Sequence, residues 1–468
     1  MLMNNGINFL LEPKSVAVVG ATNNPIKFGH FLMLNLIDLG FKGKVYPVNL
    51  KATEVVGLKA YSRVDLIPDE VDVVAIIVPA ANVHQVMQDC AKKDVKGVVI
   101  LSSGFREIGG EGIKREREII EIAKKAGIRI LGPNTTGILN TTNKFTTSFV
   151  PLPHLKEGNV AFVAQTGLFA AAAFWWILSA EPFGLSKVIG LGNKSDVDDS
   201  EALEYLTHDK DTKVIAMYME GVKDGLKFLN AAQQAVTTKP VLVLKSGRTE
   251  AGIKAATSHT GALAVRDEIF DAICKQTGII RVNDFEELMD FLKIFALQPL
   301  PKGNKVAILS MTGAGCVMAV DECRNHRLEV AQFSRKTAEH LESYLPSWIK
   351  VKNPMDTEML FESVGPEECL KICLGAVLED ENVDCVVGVL PTSPLFAFDI
   401  KKTILEIREK NPSKPIAFHI LGSKDMVDLW TKELEEIGIT VYPSIERCVK
   451  ALAVLHEYSF KRHSTAIL

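Results

Sequence analysis

The 468-residue sequence carries little net charge: 53 basic and 57 acidic residues leave −4 at pH 7. That balance creates no broad field to attract nucleic acid or an anionic membrane, so any anion site has to be local. The eight cysteines are scattered. With no C-x-x-C pair and no Cys/His grouping at metal spacing, they argue against a disulfide framework and against a zinc site. Cys369 and Cys373, four apart in a helical stretch, read as buried neighbours, and a reducing cytoplasm is the expected location. The opening MLMNNGINFLLEPKS lacks the charged and apolar regions of a secretory leader, and no run of about 18 apolar residues occurs. No G-x-x-x-x-G-K-S/T phosphate loop is present either. A soluble protein of about three domains, at roughly 150 residues each, is the expectation.

What is present is a repeated strand, tight turn and helix. Residues 15–19, Ser-Val-Ala-Val-Val, run into Gly20-Ala21-Thr22-Asn23-Asn24-Pro25, and 30–39 read as a helix. Apolar strands follow at 44–48, 72–78, 96–101 and 128–131, with helices at 82–93 and 111–126. Continuous apolar strands alternating with helices imply a parallel sheet covered on both faces. A glycine turn at a helix N-terminus suits a phosphate. An NAD enzyme usually carries an acid at the end of the second strand, but here the chain reads Val48-Asn49-Leu50-Lys51. A lysine there suits a phosphorylated ribose, as in NADP or the 3′-phospho-ADP of coenzyme A. Val78-Pro79-Ala80, Ser102-Ser103-Gly104-Phe105 and Gly132-Pro133-Asn134-Thr135-Thr136-Gly137 close later strands on the edge where open α/β sheets bind ligands.

Proline-rich Val150–His154 marks a first linker. Beyond it the pattern recurs, with strand 160–164, the turn Gln165-Thr166-Gly167 and an alanine-rich helix from Leu168, again placing a helix N-terminus where an anion could sit. Strands are expected at 187–190, 213–219 and 240–244, with helices at 200–208, 222–237, 264–277 and 284–297. Glu220 follows the strand at 213–219, which directs its carboxylate to the same edge as Gln165. After a second linker at 299–304, strand 305–310 leads into Met311-Thr312-Gly313-Ala314-Gly315, a third opening of the same kind, followed by strands at 384–390 and 415–420.

One stretch stands apart, Lys254-Ala-Ala-Thr-Ser-His259-Thr-Gly-Ala-Leu-Ala264, a histidine among small residues with Gly252 and Gly261 as hinges. Taken alone, it could be an ordinary surface histidine. Together with a carboxylate at Glu220 and glycine turns at helix N-termini, it reads as a histidine that becomes phosphorylated. Imidazole, with an ordinary pKa of about 6.5, is a competent nucleophile near neutrality. A carboxylate on its other ring nitrogen would fix the attacking tautomer, and helix N-termini would offset the phosphate charge.

These residues carry a resemblance. In Val18-Val19-Gly20-Ala21-Thr22, Gly132-Pro133-Asn134-Thr135, Ala164-Gln165-Thr166-Gly167, Tyr218-Met219-Glu220-Gly221 and Ser258-His259-Thr260-Gly261-Ala262, the chain resembles the α subunit of the NDP-forming acyl-CoA synthetases, the ADP-forming acetate–CoA ligase group related to succinyl-CoA synthetase. The likeness spans essentially the whole chain. It implies an α/β fold of three consecutive parallel-sheet domains: a Rossmann-like CoA-binding domain (1–149), a succinyl-CoA synthetase-like domain carrying the phosphohistidine loop (150–300) and a second flavodoxin-like one (301–468). His259 would be the phosphoryl carrier and Glu220 its stabiliser. Gly20, Ala21, Thr22, Asn23, Asn24, Lys51, Val78, Pro79, Ser102 and Ser103 would line CoA. Asn134, Thr135, Gln165, Thr166, Gly167, Gly313, Ala314 and Gly315 would hold phosphate or acyl groups. Position 166 is Thr where the family often has Ser, which keeps the hydroxyl. No stretch reads as an ATP-grasp module, so the resemblance implies a separate β subunit holding ATP or ADP with Mg²⁺, in an α₂β₂ heterotetramer, and a loop that travels between two sites. The competing readings are a non-catalytic CoA-binding regulator and an NAD(P)-dependent dehydrogenase.

Overall fold

The computed structural model describes residues 6–152, 155–165, 167, 173–254, 266–396, 398–410 and 414–465. The chain divides into two compact units, one reaching Leu288 and one starting at Met289. His259, with nearly all of its small-residue stretch, and Thr166 lie outside the described residues.

The first unit contains two large sheets. In the first, the strands run in the order Lys44–Val48, Ser15–Val19, Val73–Ile76, Gly97–Ile100 and Arg129–Leu131, all parallel. Every residue of Ser15–Val19, Val73–Ile76 and Gly97–Ile100 is buried, as a sheet covered on both faces requires. Outside Lys44–Val48 the sheet gains one residue more, a single parallel bridge from Val48 to Tyr61. There Asn49 N–H donates to Tyr61 O at 2.9 Å, and Tyr61 N–H donates to Pro47 O at 3.0 Å. Pro47 has no N–H to continue the ladder. The order is that of the dinucleotide-binding fold with its third strand reduced to one residue. The intervening sequence folds as a small hairpin, Glu54–Val55 with Leu58–Lys59.

The first turn is set by two glycines. Gly20 has φ +100°, and a Cβ there would lie 2.4 Å from the Ile77 carbonyl oxygen. A Cβ on Gly29, in the first turn of helix Phe28–Asp38, would lie 2.1 Å from the Gly20 carbonyl oxygen. Close contact of strand, turn and helix depends on both hydrogens.

The second sheet runs Ile280–Val282, Val241–Lys245, Val214–Met219, Glu157–Ala164, Leu185–Gly190, Ile138–Asn140 and Phe145–Thr146. Its first five strands are parallel, and the last two join antiparallel. These edge strands precede the proline-rich stretch, which is itself anchored: Asn35 donates to Ser148 O and Val150 O and accepts from Leu152 N. Helices Asp199–His208 and Gly225–Thr238 begin at Asp198 and Asp224, whose side chains each accept two backbone N–H bonds of the first turn. The alanine-rich helix is described over Ala173–Ala180.

In the second unit, strands run Glu329–Val330, Lys305–Ser310, Cys385–Thr392, Ile416–Gly422 and Thr440–Tyr442, all parallel, with Met355–Asp356 pairing the end of Lys305–Ser310. Cys369 and Cys373 are buried together in helix Pro366–Glu379. No helix among the described residues is long and apolar enough to cross a membrane.

Gly29→Ala tests the first turn. Helix propensity favours Ala over Gly by about 1 kcal/mol, but a methyl carbon 2.1 Å from a carbonyl oxygen forces the helix off the strand, and overpacking of this kind costs about 1–3 kcal/mol. A net loss of stability is expected, read as a lower midpoint of the first urea transition.

Candidate functional site

Each sheet of the first unit reverses its strand order at one place, and there the loops diverge to leave a crevice. In the first sheet this lies between Ser15–Val19 and Val73–Ile76. The Gly20 turn is held from every side. Gly20 N–H donates to Val48 O, and Asn24 N–H to Thr22 Oγ1. Ile26 N–H donates to Asn24 Oδ1, and His30 Nδ1 lies 3.1 Å from Thr22 O. Asn23 bridges to the small hairpin, donating to Glu54 O and accepting from Val56 N. Asn49 stands where NAD enzymes carry an acid. It donates to Ala21 O at 2.7 Å and accepts from the backbone N–H groups of Lys51 and Ala52 at 2.9 Å, so its amide is spent on the turn itself. Across the crevice, Ser102 Oγ donates to Val78 O and accepts from Val78 N. Gly20, Ala21, Thr22, Val78, Pro79, Ser102 and Ser103 therefore share one edge, with Lys51 exposed beyond the adjoining strand. Leu50 and Ile26, 82% and 79% exposed, are large apolar side chains near this edge that no core covers.

In the second sheet the reversal falls between Glu157–Ala164 and Val214–Met219, which end at Gln165 and Glu220. Both are buried. Gln165 Oε1 accepts from Glu220 N–H at 3.1 Å, and Gln165 N–H donates to Tyr218 O. Burial raises the Tyr218 phenol, and the charge of Glu220 adds to that rise. Gly167 is exposed beside Thr136, whose methyl is 3.4 Å from where a Gly167 Cβ would stand. Thr135 Oγ1 donates to Gly190 O and accepts from Gly137 N–H. Asn134 takes a left-handed φ of +57° and donates its N–H to Ser102 O at 3.0 Å. That bond joins the two crevices.

The 259 stretch is anchored on both flanks. It leaves from strand Val241–Lys245, whose Lys245 pairs in register with Met219, the residue before Glu220. Lys245 Nζ donates to Ser246 O and Gly247 O, and Ser246 N–H donates to Met219 O. Burial lowers the Lys245 ammonium pKa, an effect opposed by Asp267. On the return side Asp267 receives two bonds from Arg281, at 2.6 and 2.7 Å. Gly313, Ala314 and Gly315 belong to the second unit, at the start of helix Gly313–Asn325. There the Thr312 side chain accepts from Gly315 N–H, and a Cβ on Gly315 would lie 2.5 Å from Ser310 Oγ.

One segment, Gly192-Asn193-Lys194-Ser195-Asp196, which the sequence offers only as a run without the glycine spacing of a phosphate loop, ties these parts together. Residues 191–195 follow strand Leu185–Gly190. A Cβ on Gly192 would lie 2.3 Å from Pro133 O, and Asn193 and Ser195 donate their N–H groups to Pro133 O and Gly132 O. The Asn193 side chain donates to Glu107 and Glu116, Ser195 Oγ donates to Glu116, and Arg106 pairs with Glu116 at 2.7 Å. Glu107 accepts from the N–H groups of Gly104 and Phe105. Below, Arg129 binds Asp196 and Glu201 together. What the sequence shows of its role is a glycine and a polar run, Gly192 and Asn-Lys-Ser-Asp-Val-Asp-Asp, shortly after an apolar strand.

Comparison with known proteins agrees with this layout. Residues 14–141 match the family described as CoA binding domain, and 157–295 match the family described as succinyl-CoA ligase like flavodoxin domain. Two such α/β domains in tandem are those of a CoA-dependent ligase. The chain is 39% identical to the Pyrococcus furiosus acetate–CoA ligase [ADP-forming] II subunit alpha, over 96% of this chain and 97% of that one. It is 45% identical to the Archaeoglobus fulgidus acetate–CoA ligase [ADP-forming] II, over 97% of this chain and 67% of the relative. A solved structure described as Ca. Korarchaeum cryptofilum dinucleotide forming acetyl-coenzyme A synthetase 1, in complex with phosphate and ADP, superposes with a TM-score of 0.92 at 32% identity, covering 99% of both chains. The chain belongs to the ADP-forming acetate–CoA ligase family.

Glu116→Leu probes the link between the sheets. Glu116 is 4% exposed, and its loss removes the acceptor of Ser195 Oγ and one acceptor each of Arg106 and Asn193. Leaving buried donors without their acceptor costs about 1–3 kcal/mol, expected as a shift in the urea midpoint with helix content of the folded state unchanged by circular dichroism.

Proposed function

We propose that the chain is the α-type subunit of an ADP-forming acyl-CoA synthetase, reversibly interconverting acetate or another small acid, CoA and ATP with acyl-CoA, ADP and phosphate. The observation that carries the reading is the placement of Glu220. It is buried at a strand end, its N–H bound by Gln165, and the adjoining strand leads into the stretch that bears His259.

Starting from acyl-CoA, a phosphate oxygen attacks the thioester carbonyl. The C–S bond breaks, and CoA leaves as its thiol with acyl phosphate formed. A ring nitrogen of His259 then attacks phosphorus, the P–O bond to the acyl group breaks, and the carboxylate departs. Positive charge develops on the imidazole, and Glu220 accepts a hydrogen bond from the remaining ring N–H, fixing the tautomer and offsetting that charge. In this reading Gln165, Thr166 and Gly167, with Asn134 and Thr135, hold the phosphate. The phosphohistidine finally donates its phosphoryl group to ADP. In this reading the nucleotide and its Mg²⁺ are held by an ATP-grasp β subunit in an α₂β₂ assembly, and the name of the P. furiosus relative, a subunit alpha, supports a second chain. Gly313, Ala314 and Gly315, at a helix N-terminus of the second unit, are a further candidate phosphate or acyl site in this reading. In the first crevice CoA lies along Thr22, Asn23, Asn24 and the Val78-Pro79 and Ser102-Ser103 loops, with Lys51 at the ribose phosphate.

Incubation with acetyl-CoA and labelled phosphate is expected to leave acid-labile label on the wild-type chain and none on His259→Ala, with CoA affinity retained by the variant. A wild-type chain that binds CoA and takes no label would instead be a CoA-binding regulator. For Lys51, the expectation is selective. Lys51→Glu should raise the Kd of CoA by about ten-fold, near 1.4 kcal/mol, and leave that of 3′-dephospho-CoA unchanged, measured by calorimetry.

A further inference from the structure

Lys194 is 4% exposed and sits at φ +54°, in the left-handed region that a β-carbon disfavours. Its ammonium reaches Asp199 Oδ2 at 2.7 Å and donates to the carbonyl of Gly221 at 2.7 Å. The arrangement is reciprocal. Lys223 Nζ, two residues past Gly221, donates back to Lys194 O at 3.3 Å and to Ser195 O at 3.1 Å. Two loops thus hold one another by lysine to carbonyl bonds, and Glu220 directly precedes the first attachment point, Gly221. The Glu220 N–H is taken by Gln165, and the Gly221 carbonyl by Lys194.

Stability alone is a poor reason for such a pair. Taking an ammonium and a carboxylate out of water costs several kcal/mol each, and apolar side chains of the same volume are often neutral or stabilising in their place. Burial pushes the Asp199 carboxyl up against the opposing pull of Lys194, and among the described residues Asp199 Oδ1 finds no hydrogen-bond partner. What an apolar pair would not supply is a bond of fixed direction to the Gly221 carbonyl.

We propose that Lys194, oriented by Asp199, is a positioning residue that holds the Gly221–Val222 peptide, immediately after Glu220, so that the Glu220 carboxylate meets the phosphorylated histidine. The inference rests on the role given to Glu220 above. Its effect is on the rate of phosphoryl transfer to His259 and not on CoA binding, because misplacement of a reacting group by about 1 Å can cost about 100-fold in rate.

A double-mutant cycle decides it, using the chain assembled with its nucleotide-binding partner, acetyl-CoA and labelled phosphate. Lys194→Met and Glu220→Gln are each expected to slow single-turnover labelling of His259 by about 10- to 100-fold, with the Kd of CoA unchanged. The double variant is expected to be no slower than Glu220→Gln alone, since residues that act as one unit are not additive. An equal further loss in the Glu220→Gln background, or a matching rise in the Kd of CoA, would make Lys194 merely structural and overturn the proposal. If Lys194→Met fails to fold, Asp199→Asn, which keeps the shape and weakens the pair, takes its place in the same cycle with the same criterion. Wild-type labelling by Glu220→Gln would remove the role of Glu220 and this proposal with it. A slow Glu220→Gln with an additive cycle would remove only the proposal.

Discussion

The packing of Gly192 against the Pro133 carbonyl is the contact on which the layout of the first unit depends. A hydrogen at that position lets the 191–195 segment lie on the 132–135 loop, where a β-carbon would stand 2.3 Å from an oxygen. From that contact bonds extend in three directions: through Asn193 and Ser195 to Glu116, through Thr135 to Gly190, and through Lys194 to Gly221. The crevice of the first sheet and the buried carboxylate of the second are thereby parts of one framework. Under the function proposed above, a CoA thioester laid along the first would meet loops whose spacing is already set.

The chemistry follows from where strands change sides. In both sheets of the first unit the loops at the reversal carry small or amide side chains, because larger ones would fill the crevice. Among the charged groups, Lys51 and Lys194 stand one step back, and Glu220 is at the reversal itself, buried. Polar groups that do face the crevices are already committed to backbone partners, as with Asn23, Asn49 and Gln165. Such a site is organised before any ligand arrives, so little binding energy is consumed in ordering it.

Much of this was legible in the sequence where one residue type dominated a stretch. Val16–Val19 and Val73–Ile76 are apolar at every position and could only be covered strands. The Gly20 turn and Glu220 at a strand end followed from their neighbours. Other features depend on contacts that no local pattern encodes. Ile138–Asn140 and Phe145–Thr146 are two or three residues long and sit among Asn and Thr, yet they complete the second sheet. Nothing in the local pattern around Lys194 marks it as buried, since its partners Asp199 and Gly221 meet it only through the arrangement of strands Leu185–Gly190 and Val214–Met219 about Glu157–Ala164. Asn49 was legible as a missing acid. That its amide would instead bind Ala21 O was not, because the bond depends on how the second strand's end meets the first turn.

The single bridge at Tyr61 bears on how this chain can meet another. The outer strand Lys44–Val48 is the place where a foreign strand would ordinarily add to the first sheet. Pro47 presents a carbonyl to that side, already taken by Tyr61, and has no N–H to accompany it. A visiting backbone would find half a ladder and a residue in the way. Main-chain pairing is interrupted at Pro47, so a strand added along this edge could not run past that residue as a continuous ladder.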